Sequence, residues 1–324
     1  MAKLRRFARR LPQRFRTRVL ILAYHRVAAV PWDPADLCVS PEHFAEQLAV
    51  LCERFAPVSL GELLADLERG TLRRRSVVVT FDDGYADNLL QAKPMLGRFG
   101  VPATVFVTTA PLDEERELWW DELERALERA PLPPRGLPSA SPAWELPDAA
   151  APTQASADRL QLFHAWRGWL MQRSHEERRK ALDALLARAE CEVAPRPSHR
   201  TLTAQEIAEL ALGGGIEVGA HTVTHPVLSL LSPSERRSEM LASKRRLEAL
   251  LDRPVRSFSH PFGEPQHFDA TTSALLRECG FACACSSVPR PVEAKADRFW
   301  LPRTTVGDWN GDRFARRLSR WLHA

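Results

Sequence analysis

The chain has 324 residues, 44% hydrophobic and 27% charged, with a formal net charge of +4. That is ample material for a globular core, and no stretch approaches the ~18 apolar residues of a membrane span. Six scattered cysteines in a chain of this length form no disulfide framework and suit a reducing compartment.

The charge is unevenly spread. Residues 1–18 carry eight cations (Lys3, Arg5, Arg6, Arg9, Arg10, Arg14, Arg16, Arg18) and no acid, so the formal +4 becomes −4 for the rest of the chain once those eight are set aside. A body of that sign excludes nucleic acid as the default partner. Leu4, Phe7, Leu11 and Phe15 recur at roughly helical spacing among the arginines, interrupted by Pro12. The arm reads as a solvated terminus, with peripheral contact to an anionic membrane as the alternative. Val19–Ala23 is too short for the apolar part of a secretory signal, and the expected setting is cytoplasmic or at the inner face of the membrane.

In chain order, the pattern predicts a strand over Val19–Val27 and a helix over Glu42–Phe55, with Ser40 as N-cap and Pro41 at its first position. A second helix over Leu60–Glu68 leads to the run Val77-Val78-Val79-Thr80-Phe81-Asp82-Asp83-Gly84. The β-branched residues suit a strand buried on both faces. Two adjacent carboxylates then stand at its end, an expensive arrangement unless something uses them. A divalent cation that binds one while the other stays free as a base would resolve the conflict. A helix over Ala86–Phe99 and a strand over Ala103–Thr108 follow.

Residues 111–200 break the β-then-α rhythm. Trp119–Arg129 and Ala157–Ala189 look helical, separated by a Pro- and Ala-rich linker over 131–152. This segment is expected to be a helical insertion on a barrel. Its tryptophans (Trp119, Trp120, Trp144, Trp166, Trp169) are expected to form mainly its own core, with the lining of a sugar site as the alternative. Beyond it the pattern gives a helix over Ala204–Ala211, a strand over Ile216–His221, a long helix over Pro233–Leu251, strands over Arg256–Phe262, Phe281–Ser286 and Trp300–Val306, and a closing helix over Asp312–Leu322. Repeated β-then-α units argue for a parallel sheet, open or closed into a barrel.

His221-Thr222-Val223-Thr224-His225-Pro226 closes the strand that begins at Ile216. Two imidazoles four residues apart can reach one cation if the chain turns between them. Two His and one carboxylate leave positions open for water and substrate, as a catalytic metal requires.

Thr80-Phe81-Asp82-Asp83-Gly84 followed by His221-Thr222-x-x-His225-Pro226 resembles the polysaccharide deacetylases (NodB homology domain, carbohydrate esterase family 4), over roughly residues 19–110 and 200–306. The resemblance implies a distorted (β/α) barrel with fewer than eight strands, here over 19–324 with the insertion at about 111–200, and hydrolysis of the acetamide on N-acetylhexosamine-containing glycans or their precursors in envelope or exopolysaccharide assembly. It implies that Asp83, His221 and His225 bind a divalent metal, Zn²⁺ first, with Co²⁺, Ni²⁺ or Mn²⁺ as alternatives. Asp82 would then be the general base, with Thr222 supporting the ligands.

Ser259-His260-Pro261-Phe262-Gly263 resembles the family's oxyanion segment, which makes the Phe262 backbone N–H the candidate donor. The chain departs from the family twice. The family's base-orienting Arg, two residues before the Pro, is Ser259 here; Arg303, in Leu301-Pro302-Arg303, is the candidate replacement. The C-terminal Leu-x-His acid motif is missing after the last strand, and His323 is a poor substitute. Tyr24-His25 instead resembles the N-terminal motif of members with permuted motif order, so His25 is the candidate acid. Cys283 and Cys285, two apart on one strand, read as small core residues; His260 lines the pocket or fills it; His164, His175, His199 and His267 stand in no motif. Two rivals stay open: hydrolysis of another acyl or amide group, and a non-catalytic glycan-binding barrel, prompted by Ser259.

Overall fold

A computed structural model describes residues 17–129 and 155–323. Residues 1–16 of the basic arm and the whole linker over 131–152, Trp144 included, lie outside the described residues. The strands are β1 (Leu20–Tyr24), β2 (Arg26–Val27), β3 (Cys38–Val39), β4 (Ala56–Pro57), β5 (Ser76–Phe81), β6 (Ala103–Val107), β7 (Ile216–Ala220), β8 (Ser257–Ser259), β9 (Cys283–Cys285) and β10 (Thr304–Thr305). The helices are α1 (Pro41–Arg54), α2 (Leu60–Arg69), α3 (Lys93–Phe99), α4 (Pro111–Glu114), α5 (Trp119–Arg129), α6 (Ala155–Met171), α7 (His175–Arg188), α8 (Ala204–Leu210), α9 (Pro233–Leu251), α10 (Ala270–Glu278) and α11 (Gly311–His323). None is long and apolar enough to cross a membrane, among the described residues.

The main sheet is parallel and runs β10-β1-β5-β6-β7-β8-β9, with β4 beside the start of β5. Its two ends approach each other where Cys285 of β9 bridges Leu301, just ahead of β10. This is a distorted (β/α) barrel of fewer than eight strands around its path. β2 and β3 form a separate parallel pair.

Alternation along the strands sorts side chains between two cores. Val77, Val79 and Phe81 face outward with Val105 and Val218, packing on Phe44 and Leu48 of α1, Met240 and Leu247 of α9 and Phe314 of α11. Ile21, Val78, Phe106, Cys283, Cys285 and Leu301 fill the inside, so the two cysteines are core residues, free and buried. Asp82 follows Val78 and Thr80 in the same alternation and is therefore aimed at the lumen.

Several elements differ from the sequence expectation. The first strand breaks at His25, which joins β1 to β2. The helix expected from Ala86 opens with a π-helical turn over Asn88–Ala92. The stretch Ala157–Ala189 is two helices, because Ser174 and Glu177 form a capping box that starts α7. The strand expected over Arg256–Phe262 keeps only three ladder residues, and α10, capped by Asp269, lies where no helix was read. Helices α5, α6 and α7 share a core of their own that buries Trp119, Trp120 and Trp166, with Trp169 packed against it.

Gly219 sets how closely β6 and β7 approach. A Cβ there would sit 2.4 Å from the Phe106 ring and 2.7 Å from Ser257 Oγ. Phe106 is fully buried and has no room to yield. Gly219→Ala should cost about 1–3 kcal/mol in urea unfolding, while Gly97→Ala, on α3 with nothing within 4 Å, should be neutral or mildly stabilising.

Candidate active site

The motif residues collect at the C-terminal ends of the parallel strands, where barrels of this kind carry their chemistry. Four non-glycine residues there adopt left-handed backbone: Asp83 (φ 75°), Thr222 (φ 65°), His225 (φ 51°) and Phe262 (φ 62°). Each such residue costs on the order of 1–3 kcal/mol and persists only where its surroundings hold it. Around the histidine turn those surroundings are explicit. Thr222 Oγ1 accepts from the His225 N–H at 3.1 Å. Glu239 of α9 accepts from the Val223 and Thr224 N–H groups (2.7 and 3.0 Å) and from the Thr224 hydroxyl (2.7 Å). From the insertion, Arg178 of α7 donates to the Thr224 and His225 carbonyls at 2.9 and 3.2 Å. The turn is thus gripped at its amides by an anion and at its carbonyls by a cation.

Asp83, His221 and His225 offer one ligand atom each, all within 4.8 Å of one another and all buried. Asp83 Oδ1 lies 3.5 Å from Nε2 of each histidine, and the two Nε2 atoms are 3.2 Å apart. His221 Nδ1 is 2.8 Å from the Ser259 carbonyl, which can only accept, so Nδ1 carries a proton and Nε2 is turned to Asp83; against the cost of burial, Asp82 and Asp83 raise His221 above the ordinary histidine range. Burial, with His221 beside it, pushes His225 well below the ordinary histidine range and favours the neutral ligand form. The His225 ring is held edge-on between Trp120 and Phe262, each at 4.7 Å. A buried carboxylate facing two imidazole Nε2 atoms fits a divalent cation in chemistry and spacing, the cation taking the place of the proton that Asp82 and Asp83 favour on His221.

A second buried group, Asp121, Glu124 and His199, also converges. One oxygen of each carboxylate is already engaged: Arg196 donates to Glu124 Oε1 at 3.1 Å and the Tyr85 hydroxyl to Asp121 Oδ2 at 2.8 Å. That group is a polar network joining the insertion to the barrel, whereas no lysine or arginine reaches Asp83 within ion-pair distance among the described residues.

Asp82 and Arg303 meet in the lumen as a two-pronged pair, Nη1 to Oδ1 at 2.7 Å and Nη2 to Oδ2 at 2.6 Å, with Arg303 fully buried. Arg303 also donates to Thr80 Oγ1 (3.1 Å), Ser259 Oγ (2.8 Å) and the Ser286 carbonyl (3.0 Å), and stands 5.5 Å over the Phe106 ring. Ser259 in turn donates to Asp82 Oδ2 at 3.2 Å. Burial alone would push the Asp82 carboxyl up, but Arg303 and His221 hold it well below the usual carboxylate range. Ser259 is small enough to leave the guanidinium room, and a cation from another strand reaches the carboxylate in place of the Arg missing there.

His25 follows Tyr24, whose carbonyl accepts from the Asp82 N–H at 3.0 Å, and it is among the groups that lower the Asp82 carboxyl. It is half-buried, and its carbonyl is pinned by Asn88 at 2.9 Å. Phe262 lies in a tight turn closed by Gly263 N–H to the Pro261 carbonyl at 2.7 Å, and among the described residues no acceptor takes the Phe262 N–H. His260 is buried, stacked on Phe268 at 4.0 Å, and fills the barrel rather than joining the ligands. The side chain of His323 lies outside the described residues. Sequence reasoning missed Arg178, Glu239 and the chain from Trp120 Nε1 to the Tyr85 hydroxyl (2.7 Å) to Asp121. Only the tryptophan was flagged.

A family model described as polysaccharide deacetylase matches residues 69–131 and 178–284, more than half of the chain. The chain belongs to the polysaccharide deacetylase family. Asp82, Asp83, His221, His225 and Phe262 fall within the matched residues; His25, Arg303 and helix α6 fall outside them. Among solved structures the fold is similar to that of the deacetylase PplD of Streptococcus pyogenes, solved in complex with acetate, at 18% identity over 95% of this chain and 99% of that one, TM-score 0.61. It is also similar to IcaB from Ammonifex degensii, at 19% identity over 95% and 98%, TM-score 0.59, and to the deacetylase domain of BpsB from Bordetella bronchiseptica, at 17% over 91% and 97%, TM-score 0.54. At such identities the likeness is one of fold. No curated protein matches this polysaccharide deacetylase chain.

Removing one half of the Asp82–Arg303 pair leaves a buried charge unpaired. Arg303→Met should therefore lower stability by about 3–5 kcal/mol at pH 7, and adding Asp82→Asn should restore much of it. The sign follows from the depressed Asp82 carboxyl. Its stabilisation is present above the unfolded carboxylate range and is lost as pH falls through the folded value, so Arg303→Met should lose that part of the acid dependence. Urea titrations at neutral and acid pH measure both.

Proposed function

We propose that the protein is a metal-dependent de-N-acetylase that acts on N-acetylhexosamine-containing glycans or their precursors in envelope or exopolysaccharide assembly. The observation that carries this reading is the division of the adjacent carboxylates: Asp83 turns to His221 and His225, and Asp82 stays anionic beside Arg303. Asp83, His221 and His225 would hold a divalent cation, Zn²⁺ first, which would supply positive charge at the acetyl carbonyl and lower the pKa of water towards neutral.

The chain's own groups do the rest. Asp82 takes a proton from the attacking water; its low pKa keeps it in the accepting form. Arg303 and Ser259 fix the carboxylate's plane and return it to an ionised state after each proton is passed on. The Phe262 N–H donates to the oxygen that becomes negative as the carbonyl turns tetrahedral. His25, at the neighbouring strand end, protonates the departing amine. The Asp82–Arg303 pair supports catalysis over a binding-only barrel, since binding alone would not require an oriented base.

The test is acetate release from chito-oligosaccharides by protein loaded with Zn²⁺ or Co²⁺. Asp82→Asn should abolish release while glycan binding persists; no acetate under any metal, with binding unchanged, would favour the non-catalytic barrel. His25→Ala should lower kcat by about 10²–10⁴-fold with metal content intact, whereas loss of metal would make His25 a ligand. Arg178→Met, which frees the Thr224 and His225 carbonyls, should weaken metal affinity about 10–100-fold in a competition titration.

A further inference from the structure

Arg167, on α6, is a cation without a counterpart. Among the described residues its guanidinium makes no hydrogen bond and no ion pair, while its neighbours in the insertion are committed: Arg116 to Glu122, Arg125 to the Ala194 carbonyl, Arg178 to the histidine turn, Arg196 to Glu117. It stands 5.6 Å over the Phe262 ring, on the residue whose backbone N–H is the candidate oxyanion donor. The nearby ionisable groups are Asp83 and Glu264, which favour its charge, and His225 and His267, which oppose it. Glu264 is exposed and turned to Gln266 and His267. Burial disfavours the guanidinium's charge, yet an arginine does not release its proton near neutral pH.

Taking a cation partly out of water without an anion is costly. Asp83, the site anion whose charge acts on Arg167, is committed to the metal in the reading above and then offers Arg167 little. Glu264 favours the charge without bonding to it, and a ligand oxyanion would give the half-buried guanidinium a direct partner. We propose that Arg167 binds an oxyanion substituent of the substrate, a carboxylate or a phosphate, on the sugar that carries the reacting acetamide or on its neighbour. The substrate is then an acidic glycan or a phosphorylated sugar precursor rather than a neutral polymer. This rests on the deacetylase reading and deepens it. Helix α6 lies outside the residues that match the family, so Arg167 is a specificity device of this chain's insertion.

The test compares three probes with the metal-loaded protein: neutral chitotetraose, a glucuronate-containing N-acetylglucosamine oligosaccharide, and UDP-N-acetylglucosamine. One anionic probe should be turned over with a higher kcat/KM than the neutral one, and which it is separates carboxylate from phosphate. In Arg167→Gln the anionic-to-neutral ratio of kcat/KM should fall about 10–100-fold, through KM; Arg167→Lys should recover part of it. A ratio unchanged by Arg167→Gln, or a wild-type preference for the neutral probe, overturns the proposal. If no probe is turned over, the deacetylase reading fails, and the Arg167 proposal is read instead from equilibrium binding of the two anionic probes to the metal-loaded Asp82→Asn protein. There Arg167→Gln must weaken one of them by the same factor, and equal affinity overturns it.

Discussion

The contact on which the site depends is the pair between Asp82 and Arg303 inside the barrel. Two neighbouring carboxylates at the end of a buried strand repel each other and lose hydration. The fold separates them by one backbone angle. Asp82 keeps the strand's alternation and enters the lumen, where a planar guanidinium meets both its oxygens; Asp83, at φ 75°, leaves the ladder and turns to the imidazoles. With one charge neutralised by an internal cation, the other is free to be neutralised by an external one. Thr80, Ser259, Ser286 and the Phe106 ring complete the guanidinium's surroundings, so the Asp82 carboxylate is oriented from below by groups on four different strand ends.

The second dependence is backbone strain. The two-histidine segment needs left-handed residues at Thr222 and His225, and neither is glycine. Glu239 and Arg178 bind successive peptide groups of the same turn, one at the N–H groups from a barrel helix and one at the carbonyls from the insertion. The insertion is thereby part of the site's scaffold. It also supplies Trp120 against His225, while its core absorbs Trp119 and Trp166.

Much of this was legible in the sequence wherever a function sits in a short run. Asp82-Asp83-Gly84 and His221 to His225 are local, and the structure brings Asp83, His221 and His225 together. Arg303 was readable only as a need: the sequence has Ser259 where a cation is expected, and one arginine near another strand end, but their meeting is a tertiary fact. Arg178 and Glu239 left no signal, because a polar residue on an amphipathic helix looks the same whether it faces water or a carbonyl. The misread elements have plainer causes. Hydrophobic runs extend past the last ladder bond, so β8 came out long; the break at Ser174 and the start of α10 at Asp269 were written in capping residues that periodicity alone passes over.

The joint between Asp82 and Arg303 also has a consequence for how the chain assembles. Its partners are separated by 221 residues, and the Ser259 contact to Asp82 by 177. Loop-closure entropy delays such pairings behind local ones. Until the last strand docks beside the first, Asp82 faces an open lumen and keeps its water. Closure of the barrel and orientation of the Asp82 carboxylate are therefore a single late event, and a partly assembled chain holds the motif residues with that carboxylate still unpaired.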